Sequence, residues 1–357
     1  MNMHEQRLDL LDYDRPALAA LLAGWGFSDY YADLLWRILY RPVAGAFEEM
    51  DELHPELRQI LAERASIVAP CCIFSQTSDD GTQKYLLALA DGEQVETVLM
   101  PYRDRYTVCI STQAGCAMGC VFCATGQMGF RRNLSAGEIV AQVLFARQAA
   151  ESAGQARQLR NIVMMGMGEP LHNFEATVTA IRILTSDTGL AIGPRHVTVS
   201  TVGLVPAIRR LADEDLGVNL AVSLHGATDE ERNALVPLGR RWPLDALMKA
   251  CRYYSARRKR RIFFEWTLIA GKNDSEQQAH ALGQLLDGLD AHVNLIPLNP
   301  TGEYGGAASR RETIARFKAI LDEYDLPSTV RQRRGIDIDA GCGQLRQRVQ
   351  ATPMNLA

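Results

Sequence analysis

Three cysteines fall within eight residues, Cys116-Ala-Met-Gly-Cys120-Val-Phe-Cys123, a C-x3-C-x2-C loop. Thiolates this close suit a compact soft-metal centre, because sulfur is the favoured ligand of zinc and of iron–sulfur clusters. A structural zinc takes four protein ligands, usually in two pairs. No fourth Cys or His lies nearby in the sequence. A 4Fe–4S cube held by three thiolates leaves one iron open to an exogenous ligand, so the count points to reactive chemistry. A zinc site with a remote fourth ligand, or an incidental group of buried thiols, is the plainer alternative.

Regular structure must hold those thiols. From Tyr106 onward, short apolar or β-branched runs alternate with helical stretches. Six strands are predicted, at 107–112, 162–166, 197–201, 219–224, 263–269 and 293–298, with helices such as 136–150, 176–184 and 279–289 between them. Such alternation implies right-handed βαβ units around a parallel sheet. Six units are too few to close an eight-stranded barrel, so the expected fold is α/β, an open, partial (β/α)6 barrel. Gly168-Glu169, Ser200, Ser223-Leu224-His225 and Asn299 fall at or just past the C-terminal ends of these strands, as does the cysteine loop. That rim is where parallel α/β folds bind ligands. Singly, Ser or Asn there is usually a helix cap or turn former, and His225 most often a structural histidine. Together they favour a catalytic mouth.

Upstream, apolar periodicity predicts helices at 15–22, 31–40 and 55–62. The period then falls to two over 84–90 and 94–100, a hairpin turning at Asp91-Gly92. The expected division is a helical accessory module over 1–75, a β-hairpin connector over 76–105, the barrel over 106–345 and a tail over 346–357. The 357 residues are 47% hydrophobic and 22% charged, an ordinary globular composition. The opening residues are too polar for an export signal, and the longest apolar run falls short of the roughly 20 residues a membrane span needs. A cytoplasmic protein is expected, whose eight cysteines are not a disulfide scaffold. The net charge of −4 is uneven: residues 1–100 hold 17 acidic and 7 basic side chains (net −10), leaving net +6 for the remainder. A polyanionic partner responds to such local patches rather than to the total.

The cysteine loop after a strand resembles that of the radical S-adenosylmethionine (SAM) superfamily, and Phe122 matches its common aromatic residue. Longer blocks narrow the likeness: Gly115–Leu134, Met164-Met-Gly-Met-Gly-Glu-Pro-Leu171 and Gly335-Ile-Asp-Ile-Asp-Ala-Gly-Cys-Gly-Gln-Leu345. In this order they resemble the RlmN/Cfr family of radical SAM RNA methyltransferases, and the RlmN branch most closely. That resemblance implies methylation at C2 of an adenosine in the peptidyl transferase centre of 23S rRNA and, in some members, of the tRNA adenosine beside the anticodon. The implied cofactors are a 4Fe–4S cluster on Cys116, Cys120 and Cys123, and SAM.

Adenine C2 lies between two ring nitrogens and is too electron-poor to attack the methyl group of SAM. The implied route spends two SAM molecules per turnover. One methylates a cysteine; the other yields the radical that takes hydrogen from the S-methyl group, and the methylene radical adds to the base. By the resemblance Cys342 is the methylated cysteine, in a loop whose flanking glycines read as flexible. Cys109 matches the resolving thiol, which releases the adduct through a transient disulfide with Cys342. Without the family it reads as a buried strand cysteine. Glu96 matches the proton acceptor. Strand alternation sets it on one face with Val98 and Met100, where apolar neighbours raise a carboxylate's pKa; alone it reads rather as an ordinary edge-strand glutamate, and the resemblance reverses that reading. Gly168 and Glu169 match the motif that receives the methionine ammonium of SAM. Ser200, Ser223, Leu224, His225 and Asn299 match the remaining SAM contacts. Cys71, Cys72 and Cys251 match no family position and read as structural.

The implied partners are 23S rRNA before full ribosome assembly, tRNA, and an electron donor such as flavodoxin or ferredoxin; the expected state is monomeric. Candidate phosphate contacts are Arg131-Arg132, Arg209-Arg210, Arg240-Arg241, the 257–261 run, Arg310-Arg311 and the 331–334 run, with Arg37 and Arg41 in the acidic N-terminal part. Trp242 and Tyr304 are stacking candidates, and core packing is the alternative for each. Two rival functions stand beside this one. A Cfr-type enzyme would methylate C8 of the same nucleotide and confer antibiotic resistance. A non-catalytic metal-binding RNA-binding protein would need only the cysteine loop and basic patches.

Overall fold

The computed structural model describes residues 7–40, 46–152, 158–302 and 304–346. Arg41 and residues 347–357 of the expected tail lie outside the described residues.

The chain enters through β1 (Leu8–Asp9) and a 3-10 turn, then α1 (Arg15–Gly24) and α2 (Asp29–Leu39). Asp14 caps α1 by accepting the Ala17 N–H at 3.0 Å, with Pro16 in the first turn, as N-terminal chemistry favours. Leu18 and Leu22 of α1 and Leu35 and Leu39 of α2 recur four apart and are buried together. α3 (Pro55–Arg64) leads into β2 (Ala65–Ser66), which pairs in parallel with β1.

Three antiparallel strands follow, β3 (Cys71–Thr77), β4 (Gln83–Ala88) and β5 (Gln94–Pro101). The hairpin of β4 and β5 forms where expected, with Gly92 at a φ of 87° in its turn. It does not stand apart from the barrel. β5 pairs with β6 (Arg105–Cys109), so β3–β5 continue the barrel's own sheet.

Beyond β6 come a small hairpin of β7 (Gln113–Gly115) and β8 (Phe130–Asn133), enclosing α4 (Ala124–Gln127), and then α5 (Ala136–Ser152). The barrel proceeds through β9 (Gln158–Met164), α6 (Phe174–Thr185), β10 (Val197–Thr201), α7 (Val205–Asp213), β11 (Asn219–Ser223), α8 (Asp229–Leu235) and α9 (Leu244–Arg258). It ends with β12 (Ile262–Leu268), α10 (Glu276–Leu285), β13 (Ala291–Pro297), α11 (Arg311–Glu323) and β14 (Ser328–Val330). The order β6-β9-β10-β11-β12-β13-β14 is parallel throughout, so the fold is the open (β/α)6 barrel. A short seventh strand, β14, extends it; three residues were too few to read from the sequence.

Alternation along β12 separates the two faces. Ile262, Phe264, Trp266 and Leu268 are fully buried, with Trp266 against Phe317 of α11. Phe263, Glu265 and Thr267 point the other way, and the register sets Ser223, Glu265 and Asn294 side by side on adjacent strands.

The N-terminal helices sit on α5. Gly137 at its start donates its N–H to Asp12 Oδ1 at 2.7 Å, and Arg147 Nη2 donates to the Tyr40 carbonyl at 2.9 Å.

Candidate functional site

The cysteine loop grows out of the β7–β8 hairpin. Gly115 has a φ of 77°, and a Cβ there would come within 2.0 Å of the Gly129 carbonyl oxygen, so only glycine passes. Cys116 donates its N–H to that same oxygen at 2.9 Å. Cys120 and Cys123 are tied by the Cys123 N–H to the Cys120 carbonyl at 3.1 Å, and Cys123 opens α4. Burial pushes the Cys116 thiol up to about 12 and raises those of Cys120 and Cys123, and the charges of the neighbouring thiolates add to this for Cys120. All eight cysteines are free thiols. Among the described residues no group of three or more His, Cys, Asp or Glu side chains stands ready to hold a metal ion. The donor set nevertheless fits an iron–sulfur cluster: three soft, enclosed sulfurs that interact electrostatically with one another and need only lose protons to bind.

Gly168 and Glu169 follow β9. Gly168 has a φ of 105°, and a Cβ would meet Gln113 at 2.6 Å. Gln113 in turn accepts the Glu169 N–H at 2.8 Å. The Glu169 carboxylate is buried and held by backbone N–H groups, Leu171 at 3.0 Å and Val202 at 2.8 Å, together with Thr201. Burial lifts its pKa to about 7. Its interactions with Cys116 and Cys120 set it beside the cysteine loop. A carboxylate desolvated this far is suited to an incoming cation.

Across the rim, Ser200 lies on β10 and Ser223 ends β11. His225 adopts a φ of 59°, uncommon for a residue with a side chain, and two bonds fix it. Its Nδ1 accepts the Thr267 N–H at 2.9 Å, and its carbonyl accepts Asn273 Nδ2 at 2.9 Å. Burial, with Arg232 nearby, pushes its pKa down to about 3, so the ring is neutral and its proton sits on Nε2. The ring meets Phe122 of the cysteine loop edge-on at 4.8 Å.

Sequence reasoning missed Arg232. Only 1% exposed, it donates to the carbonyls of Ser223 at 2.7 Å and Leu224 at 2.6 Å, and to that of Val202. It thus stitches the end of β10 to the end of β11. Its setting, Thr228-Asp-Glu-Glu-Arg232, reads as a solvated helix face, so nothing local signals burial.

Asn299, past β13, donates to the Cys342 carbonyl at 3.1 Å. The Cys342 loop, whose glycines read as flexible, is bonded to several distant segments. Ala124 donates to the Gly343 carbonyl at 2.8 Å, Thr125 Oγ1 to that of Leu345 at 2.7 Å, and Gln344 Nε2 to that of Pro300 at 2.9 Å. Ser78 and Asp79 hold Asp337. The glycines serve geometry instead: Gly343 has a φ of 82°, and a Cβ on Gly341 would lie 2.6 Å from Asn299 Nδ2. Cys342 is exposed as a residue, while protein closes around its thiol group. Its pKa is raised, first by that enclosure and then by Glu265.

Cys109 is buried at the end of β6, paired with Val98. Burial raises its pKa, and the neighbouring Cys342 raises it further. Glu96 shares the face of Val98, adjacent to the strand carrying Cys109. It is 2% exposed; burial raises its pKa against the opposing pull of Lys84. Its Oε2 accepts the Arg346 N–H at 2.7 Å. Lys84, unremarked in the sequence, pairs with Glu96 Oε1 at 3.4 Å.

Other candidates lie apart. Cys71 and Cys72 are exposed on the edge strand β3, and Cys251 is buried in α9. In the 257–261 run, Arg257, Arg258 and Arg261 pair with Asp213, Asp215 and Asp290, as a solvated surface does. Arg131, Arg240, Arg241, Arg310, Arg311, Arg331 and Arg333 are exposed. Trp242 carries the Arg241 guanidinium over its ring at 4.8 Å.

A three-cysteine loop after the first strand of an open (β/α)6 barrel, with a Gly and a buried Glu at the next strand end, defines a radical SAM enzyme. Residues 110–282 match the Radical SAM superfamily, which implies SAM and a 4Fe–4S cluster as cofactors. Residues 8–67 match the ribosomal RNA large subunit methyltransferase N-terminal domain. The chain is 61% identical over 343 residues to the dual-specificity RNA methyltransferase RlmN 1 of Myxococcus xanthus, covering 96% of this chain and 95% of that protein. It is 43% identical over 349 residues to RlmN of Magnetococcus marinus, covering 98% and 97%. A crystal structure of a radical SAM methyltransferase from Sphaerobacter thermophilus superposes with a TM-score of 0.89 at 49% identity, covering 95% of this chain and 99% of that one. The chain belongs to the RlmN family of radical SAM methyltransferases. No helix among the described residues is long and apolar enough to cross a membrane.

Proposed function

We propose that this chain methylates C2 of an adenosine in 23S rRNA, and C2 of the tRNA adenosine beside the anticodon, carrying the methyl carbon on Cys342. The observation that carries this reading is the seating of Cys342. Its loop bonds to Ala124 beside the cysteine loop, to Asn299 and to Glu96, and its thiol interacts with that of Cys109. The names of the relatives support RNA as the substrate.

When bound, SAM and the cluster supply a methyl group and a carbon-centred radical. The chain's residues govern the rest. Cys116, Cys120 and Cys123 release their protons to hold the cluster. Glu169 receives the methionine ammonium, and Gly168, Ser200, Ser223, Leu224, His225 and Asn299 complete the pocket. Within it the neutral His225 offers Nε2–H as a donor. Cys342 loses its thiol proton and takes the methyl group on sulfur. Once that carbon is joined to adenine, Glu96 takes the proton from C2, and the one electron that must also leave the adduct is one the bound cluster would accept. The Cys109 thiolate then attacks the Cys342 sulfur. An S–S bond forms, the C–S bond breaks, and the carbon leaves with the electron pair and gains a proton to become the new methyl group. Two electrons from a donor such as flavodoxin or ferredoxin reduce the disulfide.

The N-terminal module, part of a stretch that is net −10 over residues 1–100, then recognises RNA by shape rather than by charge. The reading makes the protein a cytoplasmic, monomeric enzyme acting before the ribosome is fully assembled.

The test is nucleoside mass spectrometry of unmodified, protein-free 23S rRNA after anaerobic incubation with cluster-loaded protein, SAM and a reductant. The expected product is 2-methyladenosine. The appearance of 8-methyladenosine instead would keep the carrier chemistry and overturn the C2 assignment. No product from a sample that cleaves SAM would overturn the rRNA reading, and tRNA would be tried next.

A further inference from the structure

The carboxylate read above as the base has a companion. The register of β4 on β5 pairs Lys84 with Val98 and Leu86 with Glu96, so Lys84 and Glu96 share one face of the sheet a single step apart. Lys84 is 8% exposed, and its Nζ lies 3.4 Å from Glu96 Oε1. A lysine is seldom this buried unless it is paired.

The loop that carries Cys342 closes over the pair. The Asp339 carbonyl accepts from Lys84 Nζ at 3.5 Å, and the Arg346 N–H reaches Glu96 Oε2 at 2.7 Å. Also against Glu96 are the Asp339 carboxylate, from the same loop, the Met167 sulfur, which accepts its backbone N–H at 3.4 Å, and Ser111 Oγ, which donates to its carbonyl at 2.7 Å. Lys84 and the Arg346 N–H favour the ionised carboxylate; burial and Asp339 favour the acid.

We infer that Lys84 is a positioning residue, which holds Glu96 ionised and aimed at the space beside Cys109 and Cys342. The inference rests on the reading of Glu96 as the proton acceptor. Removing the ammonium raises the proton affinity of Glu96, so its basic form is lost at higher pH as the medium is acidified. The acidic limb of the methylation rate therefore moves upward.

The measurement is the rate of RNA methylation against pH with cluster-loaded full-length enzyme, scaled to cluster content. Lys84→Gln keeps a donor for the Asp339 carbonyl but removes the charge. It should shift the acidic limb up by about one pH unit, a loss of about tenfold below the limb that recovers at alkaline pH. Lys84→Arg should return the limb to its place. A loss uniform across pH, or a limb that Lys84→Gln leaves unmoved, would overturn the inference. If Lys84→Gln does not hold its cluster, Lys84→Met, which keeps the stem without the charge, takes the same measurement. Glu96→Gln separates the two readings. Normal methylation by it would remove the base role and this inference together. An inactive Glu96→Gln beside an unmoved Lys84→Gln limb would remove only the role of Lys84.

Discussion

The side-chain amide of Asn299 donates to the backbone carbonyl of Cys342 at 3.1 Å, joining the segment after β13 to the backbone that carries the thiol, 43 residues further on. The same Asn299 leaves its Oδ1 buried without a partner among the described residues. A buried acceptor of this kind costs free energy unless something else donates to it, which suits a residue shared between the thiol loop and a ligand.

That seating makes Cys342 separable from the rest of the site. Cys342→Ala should abolish RNA methylation while SAM is still cleaved to 5′-deoxyadenosine. Chromatography of the nucleoside products reads both. Full methyl transfer by the variant would end the carrier role.

Cys109 is buried and interacts with Cys342. Cys109→Ala should therefore trap the enzyme after the carbon has joined the base. The check is a slow-migrating protein–RNA species on denaturing gels that nuclease removes. Normal turnover without that species would refute the resolving role.

Arg232 supports three carbonyls from a site with almost no exposure. Arg232→Met leaves those acceptors unpaired, at a cost of about 3 kcal/mol, and loosens the Ser223–His225 turn. Thermal unfolding should fall, and SAM binding by calorimetry should weaken with it. Wild-type values for both would show that the stitch is dispensable.

Asp9 offers a pH test away from the mouth. Its half-buried carboxylate accepts the Leu11 N–H at 3.1 Å and the Val68 N–H at 3.3 Å, and burial lifts its pKa to about 6. The folded value lies above the unfolded one, so the folded state binds the extra proton. The stability this contributes is present at low pH and is lost as pH rises from about 4 through about 6. Asp9→Asn keeps an acceptor and should stabilise by about 1–2 kcal/mol at pH 7.5, the figure discounted for partial exposure, with no gain near pH 4. Melting curves at the two pH values decide; equal shifts would exclude the carboxyl as the cause.

Much of the fold was legible because its signals are local. Six strands and the helices between them follow from apolar period, and β10 fell on the residues expected. The cysteine loop and the strand-end polar groups were legible because covalent spacing alone sets three thiols together. Lys84, Arg232 and the bonds that seat the Cys342 loop were not. Local hydropathy assigns a lysine or an arginine to solvent, and flanking glycines to flexibility.

By itself, then, the sequence determined the barrel, the cluster loop and the identity of the chemical groups, since periodicity and short spacings act within a few residues. Tertiary structure alone decided which of those groups are buried and what faces them. Glu96 and Arg346 meet across 250 residues, as do Thr125 and Leu345 across 220. Desolvation, and the pairing that offsets it, depend on such distant segments folding over a charge, which no local window contains.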